Sequence, residues 1–295
     1  MFSGSLVAIV TPMRPDGSLD LPAWSRLLEF HRANGTRGIV IGGTTGESAT
    51  LREAELFELT ECACAQLGAR VPVIAGVGTS STAATVERAK RFSQLPVSAL
   101  LVVTPAYNRP TQEGLYRHFA AVAQASRVPL LPYNVPARTA VDMLPSTVAR
   151  LAQLSTIVGI KEAVPQVARV RELIDSCGPK FVVLSGDDAT AREAMLAGAQ
   201  GVISVTANVV PRAMADLAAA ATGEERAKAQ QLDAALLALH RDLFVETNPI
   251  PAKWLLARMG LIEPGIRLPL TELANAHRAA VEASACAAGV VFQRE

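Results

Sequence analysis

Residues 99–136 read ALLVVTPAYNRPTQEGLYRHFAAVAQASRVPLLPYNVP. The stretch opens on one apolar run, ALLVVTP (99–105), and closes on another, PLLPYNVP (129–136). Neither run alternates apolar with polar, so neither reads as a strand with one wet face; continuous apolar strands of this length belong in a parallel sheet covered on both sides. Between them residues 112–126 read as a helix. Strand, helix and strand of these lengths make one βαβ unit.

Working outward, the same unit recurs. Apolar runs lie at 6–12 (LVAIVTP), 38–43 (GIVIGG), 72–78 (PVIAGVG), 157–163 (IVGIKEA), 181–187 (FVVLSGD) and 201–207 (GVISVTA). Helical patterns fill the spaces at 21–34, 47–67, 80–94, 145–153, 166–176, 188–198 and 211–222. In the first of these, Leu21, Trp24, Leu27, Leu28 and His31 share a face, and Gly35 suits the helix end. Eight strands alternating with eight helices predict an α/β fold, a (β/α)8 TIM barrel occupying residues 1–223. A doubly wound open sheet would carry a Gly-rich first turn, and no GxGxxG follows a strand. Past Gly223 the pattern becomes helical, with segments at 224–246, 251–259 and 271–287 and a break at NPIP (248–251). A small all-helical C-terminal domain over 224–295 is expected, either covering the barrel or joining subunits.

Composition narrows the function. Half of the 295 residues are hydrophobic, 19% are charged and the net charge is +1, so no basic footprint for nucleic acid or an anionic membrane is present. The uncharged run from Ala194 to Pro211 contains Gly, Gln, Ser, Thr and Asn, which argues against a membrane span. The N-terminus lacks a basic region ahead of its apolar segment, so no signal peptide is read. Cys62, Cys64, Cys177 and Cys286 form neither a CxxC nor a disulfide framework, and a reduced, cytoplasmic setting is expected. His31, His118, His240 and His277 are scattered without HxH or HExxH spacing, which reads as packing or surface roles and no metal site. Walker A and GxSxG motifs are absent too, which sets aside P-loop enzymes and typical serine hydrolases.

A barrel fold does not name a function, but it says where to look: active sites of these barrels sit at the C-terminal ends of the strands. Polar residues collect there. The second strand runs into Thr44, Thr45, Gly46 and Glu47; the fourth into Tyr107 and Asn108; the fifth carries Tyr133 and Asn134, with Arg138 beyond. Lys161 and Glu162 close the sixth, and Ser185, Gly186, Asp187 and Asp188 the seventh. Neighbours on a strand face opposite sides, so a Lys161 inside the barrel puts Glu162 outside it. Desolvation lowers a lysine pKa and raises the fraction of neutral amine, which can attack a carbonyl and form a Schiff base. Beside that stands a structural reading, a lysine paired with some loop carboxylate. GGTTGES (42–48), placed between strand and helix, offers backbone N–H groups and hydroxyls to a small carboxylate, or is a plain βα turn whose Glu47 complements the helix dipole. Tyr133 could relay protons, or pack with a satisfied hydroxyl. Arg138 could clamp a second carboxylate, or form a surface salt bridge. Taken together, these residues suit a cofactor-free class I aldolase acting on a 2-oxo acid.

Motifs across nearly the whole chain carry a resemblance. They are GSLVAIVTPM (4–13), GTTGESATL (43–51), NRPTQEGLY (108–116), YNVPART (133–139), GIKEA (159–163), LSGDDA (184–189), GVISVTANV (201–209) and NPIPAKW (248–254). In these the chain resembles the dihydrodipicolinate synthase family of pyruvate-dependent class I aldolases, sisters of the N-acetylneuraminate lyases. The resemblance implies condensation of pyruvate with aspartate-4-semialdehyde, at the start of the diaminopimelate branch of lysine biosynthesis. It implies a Schiff base on Lys161, Tyr133 as general acid/base, Thr44 in the proton relay, and Tyr107 completing that relay from a neighbouring subunit. Thr44 and Thr45 would bind the pyruvate carboxylate region, Arg138 the carboxylate of the aldehyde substrate, and Gly186 and Ile203 would line the pyruvate pocket. It also implies a tight dimer, usually paired into a tetramer. Arg138 is not expected in the sister lyases; other 2-keto-3-deoxy-acid aldolases and a non-catalytic oxo-acid-binding paralogue are the alternatives.

Departures from the family's pattern are specific. Ala106 stands where many relatives carry the first of two tyrosines. In lysine-inhibited relatives the allosteric pocket uses histidines at the positions of Glu53 and Leu56 and a glutamate at that of Ala84, while Ser48 and Ala49 are kept. Loss of that carboxylate predicts weak or absent inhibition by lysine. KEAVPQ (161–166) replaces the commoner KEATG beside a usual subunit contact, where Val167 and Ala197 could still pack, so the tetramer is less secure than the dimer.

Overall fold

The computed structural model describes residues 2–292; the outer limits of the two expected domains, residues 1 and 295, lie outside that range. The eight expected strands are present: β1 (Gly4–Ala8), β2 (Ile39–Ile41), β3 (Val73–Gly76), β4 (Ala99–Val103), β5 (Leu130–Asn134), β6 (Gly159–Glu162), β7 (Val182–Ser185) and β8 (Gly201–Ser204). They close in sequence order into an all-parallel barrel, with β1 paired to β8. Each strand is shorter than its apolar run. The excess residues lead into the βα loops, which is where a barrel keeps its chemistry.

All but one of the barrel's helices fall on the expected segments: α1 (Leu21–Ala33), α2 (Glu53–Leu67), α3 (Thr82–Phe92), α4 (Gln112–Ala125), α5 (Pro136–Thr139), α6 (Pro145–Leu151), α7 (Val167–Cys177), α8 (Ala191–Leu196) and α9 (Pro211–Thr222). Local chemistry explains several boundaries. Asp20 caps α1 by accepting from the Ala23 N–H at 3.0 Å, and Trp24, Leu27, Leu28 and His31 are the buried face. Thr111 caps α4 through the Gly114 N–H at 3.2 Å. The four-residue α5 was not foreseen, nor were the 3-10 turns at Gly68–Arg70 and Thr206–Asn208; single turns are too short to carry a periodic signal.

Two apolar cores result. Inside the barrel Leu6, Ala8, Val40, Leu101, Leu131, Leu184 and Ile203 pack with Tyr133. Between barrel and helices lies the larger core, which takes the alternate strand residues such as Val7, Ile39, Leu100, Ile160 and Val183. The alternation puts Ile160 outside and Lys161 inside, as strand parity requires.

Beyond Gly223 lie α10 (Arg226–Asp242), α11 (Ile250–Arg258) and α12 (Asn275–Ala287). α10 packs on α8, α9 and α12, so the helical region is continuous with the barrel's outer layer. One ionic network ties it to the loop after β2. Glu47 and Lys253 form an ion pair between side chains that are fully or almost fully buried. The second Glu47 oxygen accepts from the Arg267 N–H at 3.2 Å. The Arg267 guanidinium grips both Glu55 oxygens, at 2.8 and 2.7 Å, and the Thr50 carbonyl. Removing one member of a buried pair strands the other charge, whereas replacing both can be nearly neutral. Lys253→Met should therefore lower stability by about 3–5 kcal/mol in urea unfolding, and Glu47→Gln added to it should recover most of that loss.

Candidate active site

Strand register brings the two central residues together. Tyr133 on β5 pairs directly with Lys161 on β6, and the Lys161 Nζ sits 4.2 Å from the centroid of the Tyr133 ring. Both are buried, at 6% exposure each. Burial disfavours the ammonium and brings the Lys161 pKa down to about 8; Arg138 pushes the same way and Asp188 opposes. Burial also pushes the Tyr133 phenol up to about 12, against the pull of the Arg138 charge and of the nearby Thr44 side chain. At neutral pH this is a protonated phenol beside an amine that gives up its proton more easily than an ordinary lysine.

Gly186 makes room for the lysine. A Cβ there would lie 3.0 Å from the Lys161 Cε and 3.0 Å from the Ala163 Cβ, so any side chain would crowd the Lys161 stem. Ile203 pairs with Leu6 and closes the barrel interior beneath, at 1% exposure.

Thr44 and Thr45 do not stand at a helix N-terminus, as the strand-to-helix reading expected. The chain makes successive turns through residues 43–51, and α2 begins only at Glu53. Glu47 is not in a first helical turn either. Its φ is +57°, and its carboxylate goes inward to Lys253. Gly42, at φ +64°, takes the backbone under this loop; a Cβ there would collide with the Leu56 side chain at 2.3 Å. Thr45 is buried, and its hydroxyl accepts from the Asn248 Nδ2 at 2.9 Å. Thr44 faces a 530 Å³ cavity that Arg138, Val135, Thr247 and Asn248 also line.

Arg138 lies on α5, exposed at the cavity, and its Nη2 donates to the Asn248 carbonyl at 3.4 Å. Asn248 thus touches both Thr45 and Arg138, and its Oδ1 is buried without a hydrogen-bond partner. Sequence reading noted NPIP as a helix break, and NPIPAKW as one motif of the resemblance, but missed this role for Asn248. Tyr107 is not brought to the others within the chain. It projects from the loop after β4 at 96% exposure and φ +72°. That loop is held by Ser80, which donates to the Ala106 carbonyl and accepts from the Asn108 side chain, both at 2.9 Å.

Glu162 faces away from Lys161, as parity requires, yet it is not a solvent residue. It is 1% exposed, accepts from the Asn134 Nδ2 at 3.1 Å and the Val164 N–H at 2.8 Å, and lies 3.7 Å from Arg169. Burial pushes its carboxyl up to about 7. His31, His118 and His240 are packing residues, each with Nδ1 against a threonine hydroxyl (Thr36, Thr82 and Thr206). Among the described residues no helix is long and apolar enough to cross a membrane.

Comparison with known proteins agrees with this geometry. The model of the dihydrodipicolinate synthetase family matches residues 1–288. The 4-hydroxy-tetrahydrodipicolinate synthase of Methylococcus capsulatus is 53% identical, over 99% of this chain and 100% of its own. Among solved structures, the chloride-inhibited dihydrodipicolinate synthase of Acinetobacter baumannii, complexed with pyruvate, superposes with a TM-score of 0.97 at 47% identity, covering 99% and 100% of the two chains. A monomeric dihydrodipicolinate synthase variant superposes with a TM-score of 0.96 at 39% identity, covering 98% of each chain. The chain belongs to the dihydrodipicolinate synthetase family.

Proposed function

We propose that the protein condenses pyruvate with aspartate-4-semialdehyde to 4-hydroxy-tetrahydrodipicolinate, through a Schiff base on Lys161. The observation that carries this reading is the buried Lys161 against Tyr133, at the open end of the barrel. The Lys161 lone pair attacks the pyruvate carbonyl carbon, Tyr133 delivers a proton to its oxygen, and water leaves to give the iminium. Loss of a methyl proton gives the enamine, whose carbon adds to the aldehyde of the second substrate. That substrate's own amine then displaces Lys161, closing the ring and freeing the enzyme.

The other residues fall into supporting roles. Thr44, which lines a small cavity together with Tyr133, passes protons between phenol and cavity. Thr45 holds the pyruvate carboxylate, with its hydroxyl oriented by Asn248. Arg138, exposed at the cavity mouth, clamps the carboxylate of the aldehyde. Gly186 and Ile203 shape the pyruvate pocket. Tyr107 reaches Thr44 from a second subunit of a tight dimer, and a dimer of dimers is its natural extension. The division into a catalytic barrel over 1–223 and a helical region over 224–295 belongs to this reading, as does a cytoplasmic location.

Feedback by lysine should be weak. Where inhibited relatives offer groups to the effector, Glu53 is already bonded to Arg88 at 3.1 Å and Arg91 at 2.8 Å, Leu56 is buried beneath the loop, and Ala84 has no polar atom. An incoming ammonium meets two guanidinium groups and no free carboxylate.

Borohydride added with pyruvate should leave one reduced pyruvyl group on Lys161, seen by peptide mass spectrometry; an unmodified Lys161 rejects the Schiff-base chemistry. Trapping should rise with pH and reach half its maximum near pH 8, because the amine loses its proton there rather than at the ordinary lysine value. Tyr133→Phe should lower kcat by about 100-fold or more while trapping persists. Turnover with aspartate-4-semialdehyde, and not with sugar-acid substrates, separates this assignment from the sister aldolases. Sub-millimolar lysine should leave the purified enzyme's rate unchanged.

A further inference from the structure

Asn134, next to Tyr133 on β5, has no part in the chemistry above, yet its side chain ties three segments together. It is fully buried, and strand alternation turns it away from the barrel interior that Tyr133 faces. Across the seam between the strands it pairs with Glu162, as Tyr133 pairs with Lys161. Its Nδ2 donates to the Asp142 Oδ1 at 2.8 Å and to both Glu162 oxygens at 3.1 Å. Its Oδ1 accepts from the Met143 N–H at 3.0 Å. Two donated protons and one acceptor on so short a stem are what a primary amide supplies and a carboxylate or hydroxyl does not.

These bonds reach every segment that carries a group assigned to the reaction. Glu162 follows Lys161 on β6. Its Oε1 also accepts from the Val164 N–H at 2.8 Å, and its carbonyl accepts from the Gly186 N–H at 2.6 Å, so the strand end is held on both sides. Asp142 and Met143 lie beyond α5. The chain therefore leaves β5 at Asn134, carries Arg138 on α5, and returns to the Asn134 side chain, which closes that excursion. From α7 the Arg169 guanidinium bonds Asp142 at 2.7 and 3.1 Å and lies 3.7 Å from Glu162. One guanidinium and one amide thus serve two acids. Without the amide the two acids would have Arg169 alone between them. A polar network of this kind rigidifies its members while its donors and acceptors are matched, and is costly when they are not.

We propose that Asn134 is a positioning residue, whose side chain holds the strand end that carries Lys161, the adjoining Tyr133 and the loop that carries Arg138 in one fixed arrangement. The catalytic consequence rests on the Schiff-base reading. Imine formation needs the Lys161 nitrogen and the Tyr133 hydroxyl at one carbonyl, and a misplacement of about 1 Å costs about 100-fold in rate. The bond from Asn134 to Glu162 maintains that pairing. The bonds to Asp142 and Met143 maintain the reach of Arg138, which concerns the second substrate alone.

The test is Asn134→Asp in the full-length protein, alone and combined with Glu162→Gln. The single change keeps the size and the acceptor for Met143 but removes the donated protons. The combination reverses donor and acceptor across the seam at constant charge, so the link to β6 returns while the link to Asp142 stays broken. Borohydride trapping of pyruvate should slow about 100-fold in the single variant, and KM for aspartate-4-semialdehyde should rise about tenfold. In the combined variant trapping should recover and KM should stay raised, a division that a general loss of stability does not produce. Asp142→Ala breaks only the loop side, and should raise the same KM while trapping keeps its wild-type rate. It and the combined variant decide the matter if the single variant does not fold. A folded single variant that traps at the wild-type rate, or a combined variant without recovery, overturns the strand half; an unchanged KM in Asp142→Ala overturns the loop half. If the wild type itself does not trap pyruvate, the Schiff-base reading fails separately. Crystal structures of the two Asn134 variants then decide: the 4.2 Å between the Lys161 Nζ and the Tyr133 ring centroid should lengthen in the single variant and return in the combined one, and an unchanged distance overturns the proposal.

Discussion

The rest of the site depends on the desolvation of one primary amine. In water Lys161 would be an ammonium of no use as a nucleophile; fully buried and unopposed it would lose its proton so readily that no cation could be held there. The fold sets a value between these limits. The barrel wall removes water, Arg138 adds to the destabilisation, and Asp188 opposes both. Tyr133 is shifted in the opposite direction by the same burial, because its charged form is the one without the proton. One dry environment thus moves an amine towards neutrality and keeps its neighbouring phenol protonated, which suits the pair to the proposed roles of nucleophile and proton donor.

That environment is built by contacts far apart in the chain. The loop carrying Thr44 and Thr45 is a run of turns with its own backbone hydrogen bonds, neither strand nor helix. It is tied down further from the C-terminal region, by Lys253 on Glu47, by the Arg267 N–H on the other Glu47 oxygen, and by Asn248 on Thr45. Asn248 also accepts from Arg138, so the groups proposed to hold the two substrate carboxylates are referenced to a single side chain and its backbone. The helical region past Gly223 is thereby part of the site's support, as well as a covering on the barrel.

This explains what was legible in the sequence and what was not. Strand parity on β6 was enough to place Lys161 inside and Glu162 outside, because a period of two depends only on immediate neighbours. The barrel followed from repetition of one local unit. The threonine loop was misread as the start of a helix because GGTTGES resembles a βα turn, while its actual shape depends on Glu47 reaching a lysine 206 positions away. Asn248 and Thr45 are 203 positions apart. Patterns within a window of one element cannot contain such pairs. The burial of Glu162 was invisible for the same reason, since Asn134 and Arg169 come from other elements.

Tyr107 follows the same logic one step further. A tyrosine ring at 96% exposure gains little from burial, and φ values of +72° at Tyr107 and +46° at Arg109 are uncommon for residues with side chains. Backbone in that region is held only where its surroundings over-determine it, and here Ser80 does so from the neighbouring βα loop through two hydrogen bonds. The chain therefore holds a strained segment in order to present an aromatic group outward, beside a cavity to which Thr44 and Arg138 are open. A second copy seated on the loop would bury the ring, and the proposed tight dimer supplies such a copy.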